Sequence, residues 1–203
     1  MHRIIPSAFL LSTLGCFSGS DAQPEPTAPS DTAGAASSEP APAAPLLQFP
    51  GYTAADLNGR TVKLPGQAPG QPTLMLVAFK QRQQALVDGW LAAVEPVLAE
   101  FPGLDYTELP VIRQLNQMSR WYLDRAMRRG IPETYRRARV VTLYVDKERF
   151  RSQLDIPHED TVYLFLVEQG GGILWRSSGQ PSDGAVREMR RVMTAHRAAQ
   201  ARL

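Results

Sequence analysis

The chain has 203 residues, 43% of them hydrophobic and 21% charged, with a formal net charge of +2. That suffices for one compact domain, is too little for two of ordinary size, and excludes a collagen-like or wholly disordered protein. A single cysteine rules out an internal disulfide, a CxxC redox pair and any cysteine-cage zinc site, while scattered His2, His158 and His196 argue against a histidine-rich metal centre.

The cysteine is Cys16, behind Met1-His2-Arg3 and an apolar run from Ile4 to Leu11. A short basic start followed by 7 to 15 apolar residues has the layout of a secretory signal and is too short to span a bilayer as a helix. Thr13-Leu14-Gly15-Cys16 resembles a bacterial lipobox, with Thr13 where that pattern usually has Leu. The resemblance implies cleavage before Cys16 and lipid attachment to it. The plain alternative is an ordinary signal cut a few residues later, after Ala22, with Cys16 discarded. Either way the expected location is the bacterial cell envelope, lipid-anchored facing the periplasm or secreted into it.

Residues 17–46 are rich in Ala, Pro and Ser, with Pro24, Pro26, Pro29, Pro40, Pro42 and Pro45 and almost no large apolar side chain. Such a stretch cannot bury enough surface to offset its ordering entropy, so a loose tether is expected. The division is thus a signal over 1–16, a tether over 17–46 and a folded domain over 47–203. Beyond the tether stand 21 basic and 16 acidic residues, leaving the domain at 21 minus 16, or +5.

Inside the domain, strand and helix patterns alternate. Asn58-Gly59 within Leu57 to Leu64 signals a β-hairpin. Thr73 to Phe79 is a continuous apolar run, as expected for a strand buried on both faces. Leu86, Trp90, Ala93, Val94, Val97 and Phe101 then recur at helical spacing, with Pro96 inside the helix and Pro102-Gly103 ending it. Leu104 to Leu109 alternates as a short strand, and a second helix is predicted from about Gln117 to Arg129, stopped by Gly130-Ile131-Pro132. Val140 to Val145 reads as a strand, Lys147 to Leu154 as a short helix and Thr161 to Val167 as another strand. Gly170-Gly171-Gly172 turns the chain into Ile173-Leu174-Trp175-Arg176, and Ser182 caps a last helix reaching about Ala199, with Val186, Met189 and Met193 inward.

This order, βαβ passages followed by a hairpin and a closing helix, resembles the thioredoxin-like superfamily over about Phe49 to Met193. The resemblance implies an α/β three-layer sandwich, with a mixed central sheet, helices on both faces and a preceding β-hairpin. Redox-active members carry CxxC at the start of the helix after the first central strand, where the helix N-terminus lowers the thiol pKa. Here that place reads Phe79-Lys80-Gln81-Arg82-Gln83-Gln84, without sulfur, and no proline immediately precedes Thr161. Thiol-disulfide exchange and thiol-dependent peroxide reduction need a thiolate and are excluded on this reading. More narrowly, Trp121-Tyr122-Leu123-Asp124, Met127 to Pro132, Thr142 to Asp146 and Gly172 to Gly179 resemble the mitochondrial ATP synthase assembly factor ten family and its bacterial relatives. That family is thioredoxin-like and lacks the redox pair. It implies a chaperone-like role in assembling a membrane complex.

Two groups of residues are candidates for binding. Arg113, Arg120, Arg125, Arg128, Arg129, Arg136, Arg137 and Arg139 are opposed only by Asp124 and Glu133. Trp121, Arg125 and Arg128 share a helical face that suits a partner or an anionic group. The plainer reading is a solvated helix face, with Arg120, Asp124 and Arg128 neutralising one another at i, i+4 spacing. Lys80, Gln81 and Gln83, at a helix start, are the second candidate, for an anion or polar ligand, against the plainer reading that they cap the helix. His196 reads as a satisfied packing residue, and Met75, Met118, Met127, Met189 and Met193 as core filling, with a soft copper site from paired Met left open. His158 with Glu159 and Asp160 is a weak metal or acid/base candidate.

The sequence thus predicts a non-catalytic envelope lipoprotein that binds a membrane-associated protein partner, without catalytic residues, cofactor or nucleic-acid partner. The alternative is a small-molecule or metal-handling protein, or a divergent non-thiol enzyme using the Lys80 loop.

Overall fold

The structure is a computed structural model that describes residues 47–65 and 71–202. The expected signal, Cys16 and the tether over 17–46 lie outside these residues. Two strands, β1 (Tyr52–Ala55) and β2 (Thr61–Leu64), pair antiparallel as the hairpin. The first strand lies upstream of the predicted start, because the connection is five residues long instead of two. Within it the Asp56 carboxylate accepts the backbone N–H groups of Asn58 and Arg60, both at 2.8 Å, and Gly59 takes φ +83°.

The main sheet has five strands in the order β5-β4-β3-β6-β7. At its centre β3 (Thr73–Ala78) runs parallel to β4 (Asp105–Arg113) and antiparallel to β6 (Tyr163–Val167). The edges are β5 (Leu143–Val145), parallel to β4, and β7 (Ile173–Ser178), antiparallel to β6. Two outcomes differ from the sequence reading. The strand expected over 104–109 continues through Pro110 to Arg113, extended by the ladder that it forms with β5. The strand expected over 140–145 shrinks to three residues, because Val140 and Val141 are taken by isolated bridges to Glu108 and Asp56.

Alternation along the strands divides the apolar residues between two faces. Leu74, Leu76, Leu164 and Leu166 face α1 (Gln84–Glu100) and α5 (Asp183–Gln200), meeting Trp90, Val94, Val97, Met189 and Met193. Met75, Val77, Phe165 and Val167 face the other way, toward the hairpin, Phe49 and Phe150 of α4 (Lys147–Gln153). Trp90 packs edge-on against Trp175 and donates its indole N–H to the Gly179 carbonyl at 2.7 Å. Each such buried large side chain contributes about 1.5–3 kcal/mol. The helix α1 runs through Pro96. Ser182 caps α5 as predicted, accepting from the Ala185 N–H. The result is the expected three-layer, thioredoxin-like sandwich, with helices on both faces.

Between β4 and β5 lie α2 (Gln117–Gly130) and a short α3 (Thr134–Arg137), the latter not anticipated from sequence. No residue of α2 is buried. Met118, read from sequence as core, is 81% exposed, whereas Met75, Met189 and Met193 are buried as expected. Among the described residues no helix is long and apolar enough to cross a membrane.

Candidate functional site

The junction of β3 and α1 is where a thiol would stand in a redox-active relative of this topology. Here one 3-10 turn, Gln81–Gln83, precedes α1. Its geometry is set by Gln83, which is 2% exposed. The Gln83 side-chain oxygen accepts from the backbone N–H groups of Phe79 (2.8 Å) and Lys80 (3.1 Å). Its amide nitrogen donates to the carbonyls of Glu159 (2.8 Å) and Thr161 (3.0 Å), in the segment leading into β6. One side chain therefore ties together the two segments that would border a redox groove.

Ion pairs reinforce this tie. The Lys80 ammonium lies 2.5 Å from Asp160 and the Arg82 guanidinium 3.6 Å from it, while Glu159 is engaged by Lys147 and Arg151. The hydrogen bond from Lys80, with its charge, holds the Asp160 carboxyl below the usual carboxylate range. The Lys147 ammonium sits 5.5 Å from the centre of the Phe79 ring. Of the three residues proposed here as ligand donors, Gln83 faces inward with its amide in use and Lys80 is paired, leaving Gln81 exposed and its side chain without a partner among the described residues. The Gln83 amide is drawn inward because two backbone donors, the buried Phe79 N–H and the partly buried Lys80 N–H, would otherwise lack an acceptor. Among the described residues His158 belongs to no group of three or more metal-ligating side chains, and its backbone carbonyl accepts the Tyr163 hydroxyl at 2.9 Å.

The second candidate group is on α2. Asn116 caps the helix, its side chain accepting the Ser119 N–H at 2.8 Å. The side toward β5 is polar. Asp124 accepts the Tyr144 hydroxyl at 2.7 Å, and Arg120 lies 4.9 Å from the Tyr144 ring centre while donating to the Leu115 carbonyl. Met127 meets the Thr142 hydroxyl at 3.9 Å. Burial, reinforced by Asp124, pushes the Tyr144 phenol well above its ordinary pKa, so it stays a donor. The internal neutralisation expected of Arg120, Asp124 and Arg128 does not form, because tertiary contacts to Tyr144 take the first two.

The outer side of α2 carries Met118, Trp121, Tyr122, Arg125, Arg128 and Arg129. Trp121 is 61% and Tyr122 72% exposed, and the Arg125 guanidinium lies 5.6 Å from the Trp121 ring centre. The structure thus brings Trp121 and Arg125 together, with Arg128 on the same face. None of the three arginines has an ion-pair partner among the described residues.

Sequence reasoning missed Glu108. It stands on β4 facing α1, 6% exposed, with Gln84 Nε2 at 3.4 Å from its carboxylate. Burial raises its pKa, against the opposing hydrogen bond from Gln84 and the charge of Arg136. The alternation of Tyr106, Glu108 and Pro110 marks one strand face, but only the position of α1 buries it. His196 corrects another expectation: its Nε2 is buried without a hydrogen-bond partner among the described residues, beside a small recess lined by Gln71, Phe101, Gly103 and Met193.

No protein-family model matches the chain, and no curated protein matches it. Solved structures do. The exposed lipoprotein thioredoxin Etrx1 of Streptococcus pneumoniae strain TIGR4 is 11% identical over 70% of this chain and 98% of its own, with a TM-score of 0.46. BsSco, of the Sco family of cytochrome c oxidase assembly proteins, is 14% identical over 73% and 94%, with a TM-score of 0.48. A protein disulfide isomerase-like protein from Bacteroides thetaiotaomicron is 8% identical over 73% and 89%, with a TM-score of 0.49. The fold assignment stands on the strand order above, and these likenesses add no function to it.

Two outcomes test this geometry. Gln83→Ala strands the Phe79 and Lys80 donors and is expected to cost roughly 1–3 kcal/mol in urea unfolding. Lys80→Ala, at a largely solvated pair, is expected to cost about 0–1 kcal/mol. Equal losses would refute the central place given to Gln83. The raised pKa of Glu108 means that the folded state binds its proton more tightly than the unfolded one, so stability falls as pH rises from the unfolded pKa through the folded one. Glu108→Gln is therefore expected to be more stable than the parent above that window and to lose its advantage below it, read as melting temperature against pH.

Proposed function

We propose that this chain is a redox-inactive thioredoxin-like factor of the bacterial envelope that binds a membrane-associated protein and assists in assembling a membrane complex. The observation that carries this is the pairing of a tied-off β3–α1 junction with an uncovered outer face on α2. The fold keeps its core while the place of its usual chemistry is filled by Gln83 and by the ion pairs of Lys80, Arg82, Lys147 and Arg151 with Asp160 and Glu159. Among the described residues, the largest exposed apolar side chains lie instead on and beside α2. Binding through α2, with no bond made or broken, accounts for both.

Delivery follows from the N-terminal pattern: a secretory signal ending in Cys16 places the domain on a tether outside the inner membrane, held by lipid. The resemblance over Trp121 to Asp124, Met127 to Pro132, Thr142 to Asp146 and Gly172 to Gly179 supports a membrane-embedded complex as the class of client. The mitochondrial factor that these segments resemble works in the matrix, so the class of client carries over and the individual client does not. The alternative of a ligand-handling protein using the Lys80 loop gains no support, since Lys80 and Gln83 are engaged within the protein.

In crosslinked envelopes, the parent chain is expected to co-purify with one reproducible membrane protein, and Arg125→Glu with Arg128→Glu to lose it. Random background in both would sink the proposal. In a chain that also carries Arg125→Glu and Arg128→Glu, Cys16→Ser is expected to move the protein from salt-washed membranes to the soluble fraction, and unchanged membrane recovery would overturn the lipid anchor.

A further inference from the structure

We infer that the outer face of α2 docks on anionic phospholipid headgroups, laying the domain against a membrane leaflet. This rests on the reading that α2 is the contact surface, and it adds that the same face meets the leaflet in which a membrane-associated partner lies.

The face is polarised along the helix axis. Met118, Trp121 and Tyr122 occupy its first half, Arg125, Arg128 and Arg129 its second. No carboxylate shares it, because Asp124 is turned to Tyr144. Tryptophan and tyrosine settle at the headgroup level of bilayers, with an apolar ring body and a polar edge. The neighbouring arginines suit phosphate oxygens, which they grip in a planar fork. The contact between Arg125 and Trp121, at 5.6 Å, lets the guanidinium enter the interface with the ring, and such contacts strengthen as water leaves.

The composition also discriminates between partners. A helix that enters a protein groove presents apolar anchors at i, i+3, i+4 and i+7, whereas Met118, Trp121 and Tyr122 fill only the first three of these places and Arg125 stands in the fourth. Here the aliphatic Leu123 is half-buried, and the outer face has no branched aliphatic side chain. A stripe that passes from rings to three guanidinium groups, with no ion-pair partner for them among the described residues and no carboxylate beside them, suits a negatively charged, fluid surface. The +5 charge of the domain adds long-range attraction to the same surface.

The test uses tryptophan emission. Trp90 and Trp175 are 0% and 5% exposed, so Trp121 is the reporter that responds to a new surface. Full-length chain is mixed with vesicles of phosphatidylcholine alone or with phosphatidylglycerol, with and without brominated acyl chains. Every chain carries Cys16→Ser, so no acyl anchor holds it on either vesicle and partitioning reports on α2. Expected are a blue shift and bromine quenching on phosphatidylglycerol vesicles, reduced by added salt and lost in Trp121→Phe. Arg125→Ala with Arg128→Ala and Arg129→Ala should weaken partitioning on the order of 100-fold. Solvent-like emission on both vesicles, or equal shifts on both, would overturn the proposal. If lipid response is absent while the Arg125→Glu, Arg128→Glu chain still loses its crosslinked protein, the face belongs to a protein and only the lipid inference falls. If lipid response is present while crosslinking is insensitive to those changes, the lipid inference stands and the protein-binding reading falls.

Discussion

Burial of β3 on both faces is the constraint around which the domain is organised. Leu74 and Leu76 point to one apolar cluster and Met75 and Val77 to the other, all at most 1% exposed, while β4 and β6 saturate the backbone on either side. A one-residue slip would exchange the two sets between cores of different shape, so the register is tightly held. The carboxyl end of this strand then delivers Phe79 and Lys80 to a fixed place. Their amide groups emerge where no sheet partner remains, and Gln83 supplies the acceptor.

That solution has a functional consequence. A helix N-terminus at the end of a central strand is a good setting for an activated thiol or a bound anion. In this protein the same corner is closed by an amide with all its bonds made and by Lys80, Arg82, Lys147 and Arg151 shared between two carboxylates. A corner held this way contributes rigidity and leaves little for a ligand to displace. The opposite condition holds on α2, where polar contacts to Tyr144 and Thr142 anchor the helix while no residue is fully buried. Thin packing of this kind allows local adjustment on binding, and it turns the aromatic and arginine side chains outward.

The alternation of strand and helix, the Asn58-Gly59 turn, the apolar run of β3, the Ser182 cap and the inward Met189 and Met193 were all legible in the sequence, because each depends on local propensity or short-range periodicity. The absence of sulfur at the β3–α1 junction was equally plain. Legibility failed where a residue's role depends on a partner far along the chain. Gln83 joins segments 76 and 78 residues apart, Asp124 turns to Tyr144 20 residues on, and Glu108 is buried by a helix from an earlier segment. Met118 looked like core because its spacing in α2 is helical, yet among the described residues no layer covers it.

Composition and spacing by themselves therefore determined the fold class, the absence of cysteine from residues 47–203 and the expectation of an envelope address, since these need only residue identity and periodicity. Tertiary structure alone decided which polar groups are spent and which are free. Gln83 and Lys80 are consumed internally, while Trp121, Arg125 and Arg128 are left to solvent. The physical reason is that hydrogen-bond satisfaction is settled pair by pair in space, and the i, i+4 pattern of a single helix cannot foresee which donor a distant strand will claim.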